Sequence, residues 1–504
     1  MSHPSTDPAI PPLLAAARAA AGGPAWQQAH ALQFEGRISA GGLQGPYSQR
    51  IALGDGRFVI DYRLGPAALA RGFDGTAGWH RGADGAVVVQ QSVAALQALV
   101  TEAWLLSRAW LQPGRDAAAM FTPAGEREAP EGRLSLLRCR PAGGDELLLG
   151  FDAASGRLLS SEQVLHGKVS VKRYEDHRWI DGLLLPMRTV SGGGDPRHEV
   201  LVQLDVARVN PPLPAAAFER PDAAPPPTGL AAGTVACELP VAWHQNHAYL
   251  DARINGAPMR LMLDSGGVNL LTPEAAARAG LAIEGATEVR GPGRQPVSAG
   301  FARARELVLG DGALRLQDSL LRVLPLAGLS VVEGTAIDGL LGFELFSRLV
   351  LRLDGNAGRL QLIDPQAFVP PPGAQRLDLR FYAHVPAVRA RVDGIEGEFW
   401  LDTGNRNALT LFKPFVAAHP QLADGAGAET VIGHGIGGAV GGRVAPGRPL
   451  ALGALVLDVP ALTLPCADEG VTAIGQVAGN IGGALLRQRV VSFDYRRSAV
   501  YFER

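Results

Sequence analysis

A chain of 504 residues, 47% hydrophobic and 19% charged, is too long for a single core and too apolar to stay disordered. Its formal net charge of -2, without a basic block, excludes a general attraction to nucleic acid or to anionic membranes. No apolar run reaches the ~18 to 20 residues that cross a bilayer, and Cys139, Cys237 and Cys466 have neither zinc nor disulfide-framework spacing. The first 12 residues lack the basic start and apolar stretch of an export signal, which leaves a cytoplasmic protein or one whose signal has been lost.

In chain order, "LLAAARAAAG" (13 to 22) predicts a short helix stopped by Gly22 and Gly23. From about residue 31, short alternating segments broken by Gly and Asp, such as "YSQRIALGDGRFVIDYRL", predict an antiparallel meander with one buried face. Residues 92 to 111 have helical spacing with Ser92 as a cap, and strands resume from "GRLSLLRCRP" to "HEVLVQLDVARVN". The Pro- and Ala-rich stretch 211 to 229 cannot carry ladder hydrogen bonds and reads as a linker. The domain boundaries expected are a tail and helix over 1–30, a β-rich domain over 31–221, a linker over 222–238, and two lobes over 239–370 and 371–504.

Those two lobes are copies of one unit. "HAYLDARINGAPMRLMLDSGGVNLLT" (247 to 272) matches "HVPAVRARVDGIEGEFWLDTGNRNALT" (384 to 410), aligning Gly256 with Gly394, Asp264 with Asp402, Gly266 with Gly404 and Thr272 with Thr410 at one constant offset. Downstream, "DGLLGFELFSRLVLRLDGNAGRLQLI" matches "GNIGGALLRQRVVSFDYRRSAVYFE", pairing Gly342 with Gly482 and Asp354 with Asp494. Equivalent residues near a pseudo-twofold axis face one another. Two carboxylates brought together in this way share one proton, so that one can take a proton from water while the other donates to a carbonyl.

The Asp264-Ser265-Gly266 and Asp402-Thr403-Gly404 turns follow the apolar runs "LML" and "FWL". Leu340-Leu341-Gly342 and Asn480-Ile481-Gly482 answer them downstream. Over about 240 to 504 the chain resembles the aspartic proteases, in particular bacterial single-chain relatives with two retropepsin-like halves. The resemblance implies a mainly β fold with a bilobal pair of acid-protease barrels, preceded here by an antiparallel β domain carrying helices. It implies Asp264 and Asp402 as the catalytic dyad, Ser265 and Thr403 as hydroxyls tying the two loops together, and Gly266 and Gly404 as points of close backbone approach. It further implies water as nucleophile, no metal or other cofactor, and an extended peptide or protein substrate. With both half-sites on one chain, a monomer containing a pseudo-dimer of lobes is expected.

Family members also close a Gly-rich hairpin over the peptide. "IGHGIGGAVGG" (432 to 442) resembles such a flap, with Gly435, Gly437 and Gly438 as its flexible points, while 289 to 303 in the first lobe matches less well, leaving one flap or two. Gly267, Asn405 and the polar Asn480 depart from the family pattern. A non-catalytic peptide- or lipoprotein-binding protein with the protease fold is the competing expectation. His244 and His247 read as strand-edge residues rather than a metal pair, and Asp354 and Asp494 as turn residues.

Over about 30 to 221, the turn "FDGTAGWHRGADG", the helix after it, "RYEDHRWIDGLLLPMRTV" and "VARVNPPLPAAAFERP" resemble the curved, half-open barrels that carry lipoproteins through the bacterial periplasm. This implies an exported, periplasmic protein, with a cytoplasmic one as the alternative. An accessory or substrate-presenting domain with a filled interior is the other reading of this region.

Overall fold

The computed structural model describes residues 10–503 except 113, 116, 117, 223, 224 and 294. Most of the expected N-terminal tail and Arg294 of the first-lobe loop therefore lie outside the described residues. The protein is mainly β. It divides into two compact units, one made of the chain up to Arg81 with Ala95–Asp222, the other of Gly82–Ala94 with the chain from Ala223 onward.

In the first unit, alternating apolar residues build one antiparallel sheet. Ala31–Ala40 lies between Leu43–Ala52 and Val200–Val209, and hairpin neighbours extend the sheet both ways, to Gly78–Arg81 on one side and Met120–Ala129 on the other. The helix Ile10–Ala21 contributes Leu14 and Ala17 to the core, where Trp26, Phe58, Trp104, Trp110 and Phe151 are buried together. The helix expected over 92–111 ends at Leu106, because Arg108 turns left-handed (φ 49°) before a short 3-10 segment, Ala109–Leu111. Phe218, inside the Pro-rich stretch, is buried on this unit beneath Arg57.

The second unit holds the two repeats, and each folds the same way. In the first lobe Ala257–Leu263 pairs antiparallel with His247–Ile254 and parallel with Gly339–Leu341, which in turn pairs with Leu270–Leu271. In the second lobe Ile395–Asp402 stands in the same relation to Val385–Val392, to Gly479–Gly482 and, through the latter, to Leu409–Leu411. A third sheet joins the lobes. It runs Ala236–Pro240, Arg359–Ile363, Val350–Asp354, Val490–Asp494, Ala499–Phe502, Gln375–Asp378, with the pairing of Val350–Asp354 to Val490–Asp494 crossing between repeats. The chain thus enters this sheet at Ala236, within the stretch read as linker. Gly82–Ala94, from the stretch read as the N-terminal domain, groups with this unit, and the Gln90 side chain bonds both ways with the Ala383 backbone. Asp354 and Asp494 cap tight turns through backbone N–H groups, as their sequence contexts predict.

Candidate active site

Each half of the site is a core strand running into a polar turn. Leu261, Met262 and Leu263 are buried, as are Phe399, Trp400 and Leu401, and burying one such side chain contributes ~1.5 to 3 kcal/mol. These strands therefore have a fixed register, and the residue that follows each has a fixed position. Beyond the first turn, Thr272 accepts from the Ala275 N–H (3.1 Å), Pro273 opens the helix Pro273–Arg278, and Gly280 (φ 64°) follows its end.

The two turns meet. The Ser265 hydroxyl donates to the Leu401 carbonyl (2.9 Å) and accepts from the Thr403 N–H (3.0 Å). Reciprocally, the Thr403 hydroxyl donates to the Leu263 carbonyl (2.8 Å) and accepts from the Ser265 N–H (3.0 Å). Ser265 is 0% and Thr403 2% exposed, so these bonds do not compete with water.

Asp264 and Asp402 lie side by side beyond this lock. In each turn the Gly N–H donates to the aspartate Oδ1 at 2.9 Å, Gly266 to Asp264 and Gly404 to Asp402. Burial lifts the Asp264 carboxyl well above the usual carboxylate range. The neighbouring Asp402 charge and a hydrogen bond between the two carboxyls add to the rise, and the Gly266 and Gly267 N–H groups offset part of it. A Cβ on Gly266 would stand 2.7 Å from the Asp402 Cγ, and one on Gly404 2.5 Å from the Asp264 Cγ. Only glycine lets each loop approach the opposite carboxyl this closely.

The two halves also differ in the element paired with each active-site strand. Leu340 and Asn480 are equivalent, and the Asn480 Nδ2 donates to the Asp402 Oδ2 at 2.7 Å. Read in the sequence as a mere departure, Asn480 is a direct partner of the dyad.

Three further residues face the turns from outside the two motifs. His247 spans the Gly404 carbonyl (3.1 Å) and the Glu333 carboxylate (3.0 Å), which also accepts from the Tyr249 hydroxyl. Burial raises the Glu333 carboxyl, but the bonds from His247 and Tyr249 outweigh it and hold it low. His384 donates to the Gly266 carbonyl, and loss of hydration pulls its imidazole down to about 4. The buried Tyr495 hydroxyl donates to the Ser265 carbonyl (3.2 Å). A histidine opens each repeat copy, the one sequence hint of this shell; nothing near Glu333 or Tyr495 marks them. His244 bonds to the Glu333 backbone.

Gly435, Gly437 and Gly438 lie away from the turns, at the end of the hairpin Thr430–Gly435/Gly438–Pro446. The Gly293 and Gln295 N–H groups donate to the Ile436 and Gly437 carbonyls (both 3.0 Å). Ile436 packs against the first-lobe cluster of Tyr249, Met262, Leu326 and Leu340. The first-lobe stretch 289 to 303 and the Gly-rich hairpin thus touch at their tips.

Of the comparisons with known proteins, a family model bears on this site. No curated protein matches the chain. Among solved structures, a DUF1329 family protein from Desulfovibrio piger is similar over 42% of this chain and 97% of its own, at 13% identity and a TM-score of 0.30. A LolA superfamily protein from Nitrosomonas europaea is similar over the same shares, at 14% identity and a TM-score of 0.30. Residues 250–345, which carry the Asp264 turn and its Leu340-Leu341-Gly342 partner, match the family model described as aspartyl protease.

Proposed function

We propose that the protein is an aspartic endopeptidase that hydrolyses peptide bonds with water activated between Asp264 and Asp402. The observation that carries this reading is the pair of equivalent turns that the Ser265/Thr403 exchange locks together, each glycine lying so close to the opposite carboxyl that a Cβ would stand 2.7 Å from the Asp402 Cγ or 2.5 Å from the Asp264 Cγ. Two carboxyls so placed hold one proton between them. In the attack, water oxygen bonds to the scissile carbon, its proton passes to the ionised carboxyl, and the protonated carboxyl gives its proton to the carbonyl oxygen. The gem-diol then collapses: the C–N bond breaks as nitrogen takes the first proton, and a diol hydroxyl returns a proton to the second carboxyl. The product acid and amine leave a dyad in its starting state.

The Gly-rich hairpin over Gly435, Gly437 and Gly438 is proposed as the flap, opening at its contact with Gly293 and Gln295 to admit an extended peptide. Both half-sites reside on one chain, which supports a monomer. A periplasmic setting belongs to the same proposal; its support is the sequence pattern of residues 31–221, and fractionation of the source cells checks it.

Digestion of a mixed peptide library, read by mass spectrometry, tests the chemistry. The full chain should cut, and Asp264→Asn and Asp402→Asn should each abolish cutting while keeping the fold. Variants that cut like the parent would refute the mechanism, and peptide capture without turnover would replace the enzyme with a binder.

A further inference from the structure

We infer that Asn480 is a positioning residue that breaks the symmetry of the dyad, holding Asp402 as the ionised base and leaving the shared proton on Asp264. The inference rests on the endopeptidase reading for its kinetic consequence, but not for its structural one.

The two repeats supply matched donors to the inner oxygens, Gly266 N–H to Asp264 Oδ1 and Gly404 N–H to Asp402 Oδ1. The element beneath each turn does not match. Asp402 gains an amide donor at its second oxygen from Asn480, whereas the residue at the equivalent register position of the first lobe, Leu340, has no donor to offer. A carboxylate is an acceptor at both oxygens, so an N–H at each favours the ionised form. Asn480 is 8% exposed, and its Oδ1 has no hydrogen-bond partner among the described residues. A buried acceptor left unmet is destabilising, and leucine occupies the matching site without that cost. The side chain is therefore committed to Asp402 rather than to the packing of the lobe.

Other groups around the pair leave this assignment in place: the Gly267 N–H also favours an ionised Asp264, but burial and the neighbouring Asp402 charge outweigh it. His384 faces the dyad from the turn before Val385–Val392, with Arg322 acting on it, and is held neutral by burial. Tyr495 faces both aspartates from the turn after Val490–Asp494, and its hydroxyl is spent on the Ser265 carbonyl. In the named mechanism, water gives its proton to Asp402 while Asp264 protonates the carbonyl oxygen. On collapse the amine nitrogen takes the proton from Asp402, and a diol hydroxyl restores that of Asp264.

The test is a carboxyl-carbon NMR titration of the full chain with labelled aspartate, the dyad signals being those lost in Asp264→Asn and Asp402→Asn. In the parent, Asp402 should titrate in the lower step and Asp264 in the upper. Asn480→Leu should raise the lower apparent pKa by about one unit, and with it the acid limb of kcat/KM, a roughly tenfold loss of rate on the acid side. It should also leave thermal stability equal or higher, which a purely structural asparagine would not. Leu340→Asn should lower the upper step, giving a second readout of opposite sign. An unchanged lower step in folded Asn480→Leu, or Asp264 titrating first in the parent, overturns the inference. Absence of cleavage by the parent would sink only the endopeptidase reading, since the titration still reports where the proton sits.

Discussion

Replacing Thr403 by valine keeps the shape of the side chain and removes one hydroxyl. That hydroxyl donates to the Leu263 carbonyl and accepts from the Ser265 N–H, at 2.8 and 3.0 Å, at a position 2% exposed. Water cannot take over either bond. Each stranded backbone group costs ~1 to 3 kcal/mol, so the variant should lose about 2 to 6 kcal/mol locally. Because the protein has two compact units, a single denaturation midpoint would mix their transitions, and a local measurement is the better one. Hydrogen exchange over 260–272 and 399–411 should speed up about a hundredfold, on the scale of ~1.4 kcal/mol per tenfold. Ser265→Ala should do the same from the other side. The double variant should cost less than the sum, because both hydroxyls stitch one junction. Parent-like exchange in Thr403→Val would refute the claim that this exchange of bonds holds the two turns together.

Gly404→Ala should abolish cleavage with little loss of fold, since its Cβ would lie 2.5 Å from the Asp264 Cγ and displace the carboxyl; peptide turnover and circular dichroism check this together. The raised Asp264 carboxyl must stay protonated to act as acid, so activity should fall as pH rises through a limb lying above the ordinary aspartate value of about 4; a kcat/KM profile reads it. Burial pushes the Glu398 carboxyl from 4.5 up to about 7, with Arg380, Arg389 and the Val93 N–H offsetting it only in part. The folded state then holds a proton that the unfolded chain releases, so this contribution to stability is full below pH 4.5 and is lost as pH rises through 7. Glu398→Gln should therefore gain at most about 3 kcal/mol over the parent between pH 4 and pH 8, read as urea resistance of exchange in Ile395–Asp402. Gly437→Ala should weaken the hairpin tip, whose φ of 93° and the Gln295 carbonyl 2.4 Å from a built Cβ both oppose it; KM for peptides should change more than the integrity of the lobes.

The sequence by itself determined the duplication, the two Asp-Ser/Thr-Gly turns and the helix start at Thr272-Pro273. Each rests on chain neighbours, through apolar runs, turn chemistry or a cap, and these act over a few residues wherever the chain goes. It could not decide what those turns touch. Asn480 looked like a blemish in an apolar motif because its partner, Asp402, is 78 positions away and reached only through the parallel pairing of Ile395–Asp402 with Gly479–Gly482. Tyr495 carried no local signal for the same reason, and His384 only its place at the head of the second copy: each bonds to a carbonyl of the first-lobe turn from the second repeat. The helix over 92–111 failed at Arg108, where spacing alone gave no sign of a left-handed turn. A duplicated sequence specifies two near-equal half-sites; only the packing of one repeat on the other makes them unequal, because hydrogen bonding and desolvation depend on neighbours in space rather than in the chain.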